Sequence, residues 1–442
     1  MRDMMDPVQY FTIKHQQLQD LKKDSALSVI RNKGLEAFTR LGIPTLKHEE
    51  WKHTRISGLF NKDFEFAIDQ AVPSLSDQEI KALRLPGHEV ANEIVFVNGC
   101  YSPSLSRIST GDHQLRIVPL EEAARNEYRE FVSKHLGHSG NYLKDGINAL
   151  NTAFAHEGVF IHVKKGHAIE YPIYLYHITD SRTNNNYSQV RNLILVSELA
   201  QVQIVQTFGT IGPLESFANE VTEIVAERDS ITSFYKIQNE NSNANLVSTT
   251  HIHQIGKSQT HTVTISLDGG IVRNNLNIVL DAENCESHLC GLYLIKGQTH
   301  VDNHTTVDNV KPNCFSNELY KGIMDEQATG VFNGKIFVRP QAQKTNAYQS
   351  NKNVLLSNKA SVNTKPQLEI FADDVKCSHG CTVGSLDEEA LFYLRSRGIG
   401  EKKAQSLLLH GFAADILEDI KIKPIRDYID HLITERLEYE ES

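Results

Sequence analysis

Phe371-Ala-Asp-Asp-Val-Lys-Cys-Ser-His-Gly-Cys-Thr-Val-Gly-Ser-Leu-Asp-Glu-Glu-Ala-Leu-Phe-Tyr-Leu-Arg-Ser-Arg-Gly398 contains the change of pattern around which the chain is organised. Through Val383 the residues suit extended chain. Side chains alternate faces along a strand, so Cys377, His379 and Cys381 share one face. From Ser385 the pattern turns helical. Ser385-Leu-Asp-Glu388 reads as a capping box, with Ser385 as N-cap and Glu388 reaching back to its amide. Asp387, Glu388 and Glu389 place negative charge in the first turn, where the helix dipole favours it. Arg395 and Arg397 fall in the last turn, and Gly398 suits the left-handed stop. A cluster of soft ligands therefore sits where a β-rich body hands over to a helical tail.

Upstream, from about residue 150 to about 383, short runs rich in Val, Ile and Thr recur. Leu193-Ile-Leu-Val196, Val202-Gln-Ile-Val-Gln-Thr-Phe208, Thr262-Val-Thr-Ile-Ser-Leu267, Leu276-Asn-Ile-Val-Leu280 and Gly334-Lys-Ile-Phe-Val338 are examples, separated by Gly, Asn and Asp clusters. No helical stretch of about 12 residues interrupts them, which argues against βαβ units. The pattern permits a sandwich, a barrel or a solenoid. Asn274, Asn275, Asn303, Asn309, Asn346, Asn351, Asn353 and Asn363 suit the tight corners of a solenoid, because asparagine tolerates left-handed backbone. There is no strict repeat length.

Beyond Gly398, Leu408, Phe412, Ile416 and Ile420 lie four apart with Leu409, Ala413 and Leu417 beside them, giving one broad apolar helix face. Lys423-Pro424 breaks that run, and a last helix through Tyr428, Ile429, Leu432 and Ile433 leads to an acidic tail. At the other end, residues 1 to about 55 show helical spacing up to Pro44, and Trp51 reads as packed into a small core. Between 56 and about 145 the chain is mixed. Glu93 to Cys100 reads as a buried strand ending in a turn beside a small buried cysteine, Ala123 to His138 as a helix, and Asp145-Gly146 as a turn.

At 442 residues, two or three domains are expected. Charged residues make up 23% and apolar ones 40%, a globular composition. The net charge of −10, with no basic patch interleaved with aromatics, speaks against nucleic acid as a partner. Met1-Arg-Asp-Met-Met-Asp-Pro7 has charges and no apolar core, so it does not read as a secretory signal, and no apolar run approaches a membrane span. The six cysteines, 100, 285, 290, 314, 377 and 381, then read as reduced thiols in a cytoplasmic setting.

Asp373-Asp-Val-Lys-Cys-Ser-His-Gly380 and Leu391-Phe-Tyr-Leu-Arg-Ser-Arg-Gly398 resemble the SufB/SufD family of iron–sulfur cluster assembly proteins. Glu49-Glu-Trp-Lys52, Leu150-Asn-Thr-Ala-Phe154 and Gly158-Val-Phe-Ile-His-Val-Lys-Lys-Gly166 add to the likeness. The SufB branch usually has His-Glu-Ala where this chain has His379-Gly380-Cys381, and a cysteine at the position of Ile370, so the likeness is closer to the SufD branch. The resemblance implies a central right-handed parallel β-helix at 150–384. It would be flanked by an N-terminal helical or mixed domain at 1–149 and an ATPase-docking helical domain at 385–442. It further implies a non-catalytic subunit of the SUF assembly complex, paired with a SufB scaffold and docked to a SufC ATPase. A transient iron–sulfur cluster would be shared with SufB, with a reduced flavin in the complex, and the subunit alone could form a homodimer.

From spacing alone, Cys377, His379 and Cys381 are three donors where a closed structural zinc site needs four, and two half-buried cysteines with a surface histidine account for them. The resemblance implies more for His379: an imidazole facing a SufB cysteine across the subunit interface. Cys377 and Cys381 are the additional ligand candidates, although Cys381 departs from the SufD motif, where a small residue is usual. Leu391, Phe392, Tyr393, Arg395 and Arg397 are the candidate ATPase-docking residues. Cys285, Cys290, Cys314, His288, His300 and His304 form a looser group, read as inward-packed thiols and outward, solvated histidines. Asp373 and Asp374 would point to opposite faces of a strand, which suits a turn better than a pair of catalytic carboxylates. No Gly-x4-Gly-Lys-Ser/Thr sequence is present, so the chain has no ATP site of that kind. The alternatives are a SufB-like scaffold acting by itself, a polysaccharide-active β-helix enzyme and a zinc-stabilised structural protein.

Overall fold

Successive strands alternate between two sheets, which is how a chain of short Val- and Ile-rich runs buries both inner faces without helices. The computed structural model describes residues 6–66, 68 and 73–437. Met1 to Met5 of the opening segment and the acidic tail after Leu437 lie outside the described residues. One sheet runs, in spatial order, Leu115–Pro119, Val159–Val163, Asn186–Val196, Ser216–Ala226, Ala244–Gln254, Ile271–Leu280, His300–Asn309, Thr329–Val338 and Ser361–Ile370. The other runs Cys100–Tyr101, Asn92–Val97, Ile173–Asp180, Gln201–Ile211, Ile231–Asn239, Gln259–Asp268, Glu286–Ile295, Phe315–Met324, Asn346–Leu355 and Lys376–Gly384. From Val159 up to the last turn, each strand pairs in parallel with the strand one turn later. The result is a parallel β-solenoid of about 8 turns with helices at both termini.

The repeat lies in the register. Ile161, Ile194, Ile224, Ile252, Ile278, Val307, Ile336 and Leu368 stack as direct partners down the first sheet. Their side chains belong to the apolar core between the sheets. The steps range from 278 − 252 = 26 to 194 − 161 = 33 residues, which is why no fixed period shows in the sequence. The variation falls in the corners. Left-handed residues there include Leu199, Asp229, Asn284, Asn313, Glu326 and Lys344.

The asparagines expected at corners lie within strands or at their ends. Asn274 and Asn303 are buried mid-strand neighbours, joined by a hydrogen bond from Asn274 Nδ2 to Asn303 Oδ1 (3.0 Å). An amide both donates and accepts, so equivalent asparagines on adjacent turns satisfy one another inside the solenoid. Two further expectations shift locally. Asp145 N-caps the helix Gly146–Ala153, accepting from Ile147 and Asn148, so the turn expected there is a helix start. The helix expected over 123–138 divides into Leu120–Arg125 and Arg129–His135.

Helices cover the outer faces. The C-terminal helices Glu401–Glu418 and Lys423–Leu437 lay Leu409, Ala413, Ile416, Leu417, Ile425 and Ile429 against the second sheet. Each large apolar side chain buried this way contributes about 1.5–3 kcal/mol. N-terminal helices Pro7–Leu21 and Ser28–Leu41 place Phe11, Leu18 and Phe38 in a cluster with Tyr187 and Phe217 of the first sheet. Trp51 is buried there, as expected, with the Arg273 guanidinium 4.4 Å from its ring centre.

Candidate functional site at the open end of the solenoid

The last turn has neighbours on one side only. Ser361–Ile370 ends the first sheet and Lys376–Gly384 ends the second. Lys376 donates its amide to the Thr345 carbonyl. Backbone groups of a parallel ladder alternate in direction, so the amides of Cys377, His379, Cys381 and Val383 face the open edge. Ile370, Phe371 and Val383 leave apolar surface exposed beside this edge.

Cys377, His379 and Cys381 do share a face. Their register partners one turn below are Ala347, Gln349 and Asn351, all buried. The three side chains thus stand over the interior at its mouth, Cys377 half-buried, His379 and Cys381 exposed. Cys377 packs against the apolar core, and burial pushes its thiol up. Beneath His379 and Cys381 the interior is polar. Gln349 Nε2 donates to Glu318 Oε2 (2.8 Å), Asn351 Nδ2 to the Tyr293 hydroxyl (3.0 Å) and Asn353 Nδ2 to Asn351 Oδ1 (2.7 Å). Burial holds the Glu318 carboxyl up at about 7. This polar rung escaped sequence reading, although the alternation Gln349, Asn351, Asn353 carried its signal.

Donors two residues apart on a strand are about 6–7 Å apart, which puts Cys377 about 13 Å from Cys381. Three such donors cannot close on one ion. Among the described residues no group of three or more His, Cys, Asp or Glu is placed to hold a metal ion. The imidazole and the thiols are suited to soft or borderline metal species, each as a single donor.

The region 177–412 matches the family described as SUF system FeS cluster assembly, SufBD core domain, and 4–175 matches the SufBD protein N-terminal region. The chain is 31% identical over 410 residues to the iron–sulfur cluster assembly protein SufD of Escherichia coli, covering 91% of each. The chain belongs to the SufBD family. A SufBD-family iron–sulfur cluster assembly protein of Synechocystis is 31% identical over 425 residues, 94% of this chain and 92% of that one. SufD of Bacillus subtilis is 25% identical over 449 residues, 97% of this chain and 96% of its own.

In this SufBD-family chain the helix after the terminal strand is Glu388–Ser396, and none of its residues is buried. Its N-cap is Asp387, accepting from Glu389 and Ala390, rather than Ser385. A carboxylate that takes two amides outcompetes the earlier hydroxyl as a cap. Gly398 adopts the left-handed backbone expected of it, at φ 89°. Phe392 and Tyr393 are 74% and 57% exposed, and Leu391 is half-buried. Arg397 lies 5.2 Å from the Tyr393 ring centre and Arg395 pairs with Glu401 at 3.3 Å. Phe392, Tyr393, Arg395 and Arg397 therefore form an exposed aromatic and basic surface, with Leu391 half-buried beside them.

The looser histidine and cysteine group does not converge. Cys285 and Cys314 are buried in the core between the sheets, where contact with Cys285 and burial hold the Cys314 thiol high. Cys290 faces outward beneath the C-terminal helices, its thiol 2.9 Å from Asp419 Oδ2. His300 and His304 are not solvated as expected. The segment around Glu50 and Thr54 covers them, with His300 Nε2 2.8 Å from Thr54 Oγ1 and His304 Nδ1 3.4 Å from Glu50 Oε2. Asp373 and Asp374 sit in the corner between the last two strands, where Asp374 accepts the Lys344 amide on its carbonyl. Among the described residues no helix is long and apolar enough to cross a membrane.

Proposed function

We propose that this chain is the SufD-type, non-catalytic subunit of a cytoplasmic SUF assembly complex. A SufB-like scaffold pairs with the open end, and a SufC-like ATPase docks on residues 385–442 through Leu391, Phe392, Tyr393, Arg395 and Arg397. The observation that carries this is the exposed imidazole of His379 on an edge strand paired on one side only, with no group of three donors among the described residues to complete a coordination sphere. A second strand laid along Lys376–Gly384 would bring its donors to the same mouth, so cluster iron and sulfide, as cargo, would be held between two chains. His379 serves there as an imidazole donor. Cys377 and Cys381 are further donors, Cys381 the more accessible. ATP turnover belongs to the partner ATPase, and its movement reaches the terminal strand through the short link Ser385–Asp387. A reduced flavin belongs to the complex in this reading, with no residue of this chain assigned to it. Without a scaffold, the same edge accepts a second copy of the chain.

Co-expression with SufB-like and SufC-like partners tests this. In His379→Ala the complex is expected to form as before, with bound iron and sulfide falling about tenfold or more, as for loss of a ligand. Equal cluster content in both removes His379 from the site. Failure of the wild-type chain to join any complex overturns the subunit role.

A further inference from the structure

A cleft of about 890 Å³, lined by no residue of the terminal strand, opens between helix Ser28–Leu41 and the segment running from Leu120 to Asp145. Its size is that of a small-molecule site. The cleft is clamped at both ends. Glu121 accepts from Ser25 Oγ and the Ala26 amide at 2.7 Å each, tying the two walls together. At the other end Glu223 accepts from the amides of Gly137 (2.7 Å) and Ser139 (2.8 Å). Helix Ser28–Leu41 is itself fixed by Gly34, where a Cβ would collide with the backbone of Thr152 and Ala153.

The lining has two characters. Leu27, Ile30, Leu41, Val132, Leu136 and Leu143 supply apolar wall. Lys33, Arg40, Arg129 and Lys144 stand around it, and none of the four side chains has a hydrogen bond or ion pair among the described residues. The acidic residues of the lining are Asp24 and Asp145, and Asp145 is engaged as the helix cap. Four unpaired cations around one apolar cleft are notable in a chain of net charge −10.

We propose that this cleft binds an amphiphilic anion, with a phosphate or carboxylate held by Lys33, Arg40, Arg129 and Lys144 and an aromatic or aliphatic body against the Ile30–Leu136 wall. Guanidinium and ammonium groups together suit such an anion, the first by bidentate hydrogen bonding and the second as a point charge.

Titration calorimetry on the full chain tests it with 1-naphthyl phosphate, dodecyl phosphate below its micelle concentration, dodecanoate and inorganic phosphate. Saturable 1:1 binding of at least one amphiphile is expected, at least tenfold tighter than inorganic phosphate. The preferred probe identifies the body and head group. The variant K33Q/R40Q/R129Q/K144Q alters exposed positions only and is expected to keep the wild-type melting temperature and circular dichroism while losing about tenfold or more in affinity. His379→Ala, which tests the subunit role, is expected to bind the probe unchanged. Absence of saturable binding, equal binding of inorganic phosphate, or unchanged affinity in a folded quadruple variant overturns the proposal.

Discussion

The two ends of the solenoid are built differently. At the first, the parallel sheets are stopped by strands that run the other way: Leu115–Pro119 lies antiparallel on Val159–Val163, and Cys100–Tyr101 on Asn92–Val97. At the last, Ser361–Ile370 and Lys376–Gly384 remain parallel edges. The two edges also differ from each other. Ser361–Ile370 carries Lys365, Pro366 and Glu369, the charge and proline that discourage strand addition. Lys376–Gly384 has one charge, at its first residue, and no proline. One end is closed for stability, and the strand bearing His379 is left able to pair.

The sharpest way to break this contrast is to alter one residue at each end. Val383→Pro removes an amide that faces the open edge, and it is expected to abolish co-purification with a SufB-like partner while leaving the urea midpoint of the isolated chain nearly unchanged. Phe160→Ala, in the buried closed end, is expected to cost about 3–5 kcal/mol in urea unfolding. If both variants affect only stability, the open edge has no pairing role.

A smaller effect separates the polar rung from the apolar core. Glu318 has its folded pKa raised to about 7 from an ordinary value near 4.5. The stabilisation of its neutral form is complete below the unfolded pKa and is lost as pH rises through the folded one. Wild-type stability is therefore expected to fall between pH 5 and pH 8. Glu318→Gln is expected to flatten that fall and to gain on the order of 1–3 kcal/mol at pH 8, read from urea midpoints at both pH values. A parallel fall in both proteins would assign the pH dependence elsewhere.

The smallest effect lies within the terminal strand itself. Cys381 is exposed, whereas Cys377 is half-buried with its thiol raised by burial. Brief iodoacetamide treatment followed by peptide mass spectrometry is expected to modify Cys381 first and Cys377 several-fold more slowly, because the thiolate is the reactive form. Equal rates would place both side chains at the same depth.

The strand-to-helix switch after Val383, the buried strand before Cys100 and the amphipathic C-terminal helix were all legible, because each rests on local periodicity. The common face of Cys377, His379 and Cys381 was legible for the same reason. What stood beneath them was not, since Gln349 and Asn351 reach that place through register, and register depends on corner lengths. The asparagines misled because one amide chemistry serves two ends: left-handed corners and ladders inside the core. Here the ladder won at Asn274 and Asn303, while Leu199, Glu326 and Lys344 took left-handed corners without any compositional mark. His300 and His304 looked solvated because their cover comes from Glu50 and Thr54, some 250 positions away.

The uneven turn, from 26 to 33 residues, has a consequence for how such a chain tolerates change in length. Adding or deleting a residue at a corner shifts nothing beyond that corner, because the next strand still settles on its neighbour with the same side chains inward. The same deletion inside a strand would exchange inner and outer faces for the rest of that strand. Insertions and deletions should therefore accumulate between rungs and spare them, so two related chains can differ at most corners and still superimpose rung upon rung.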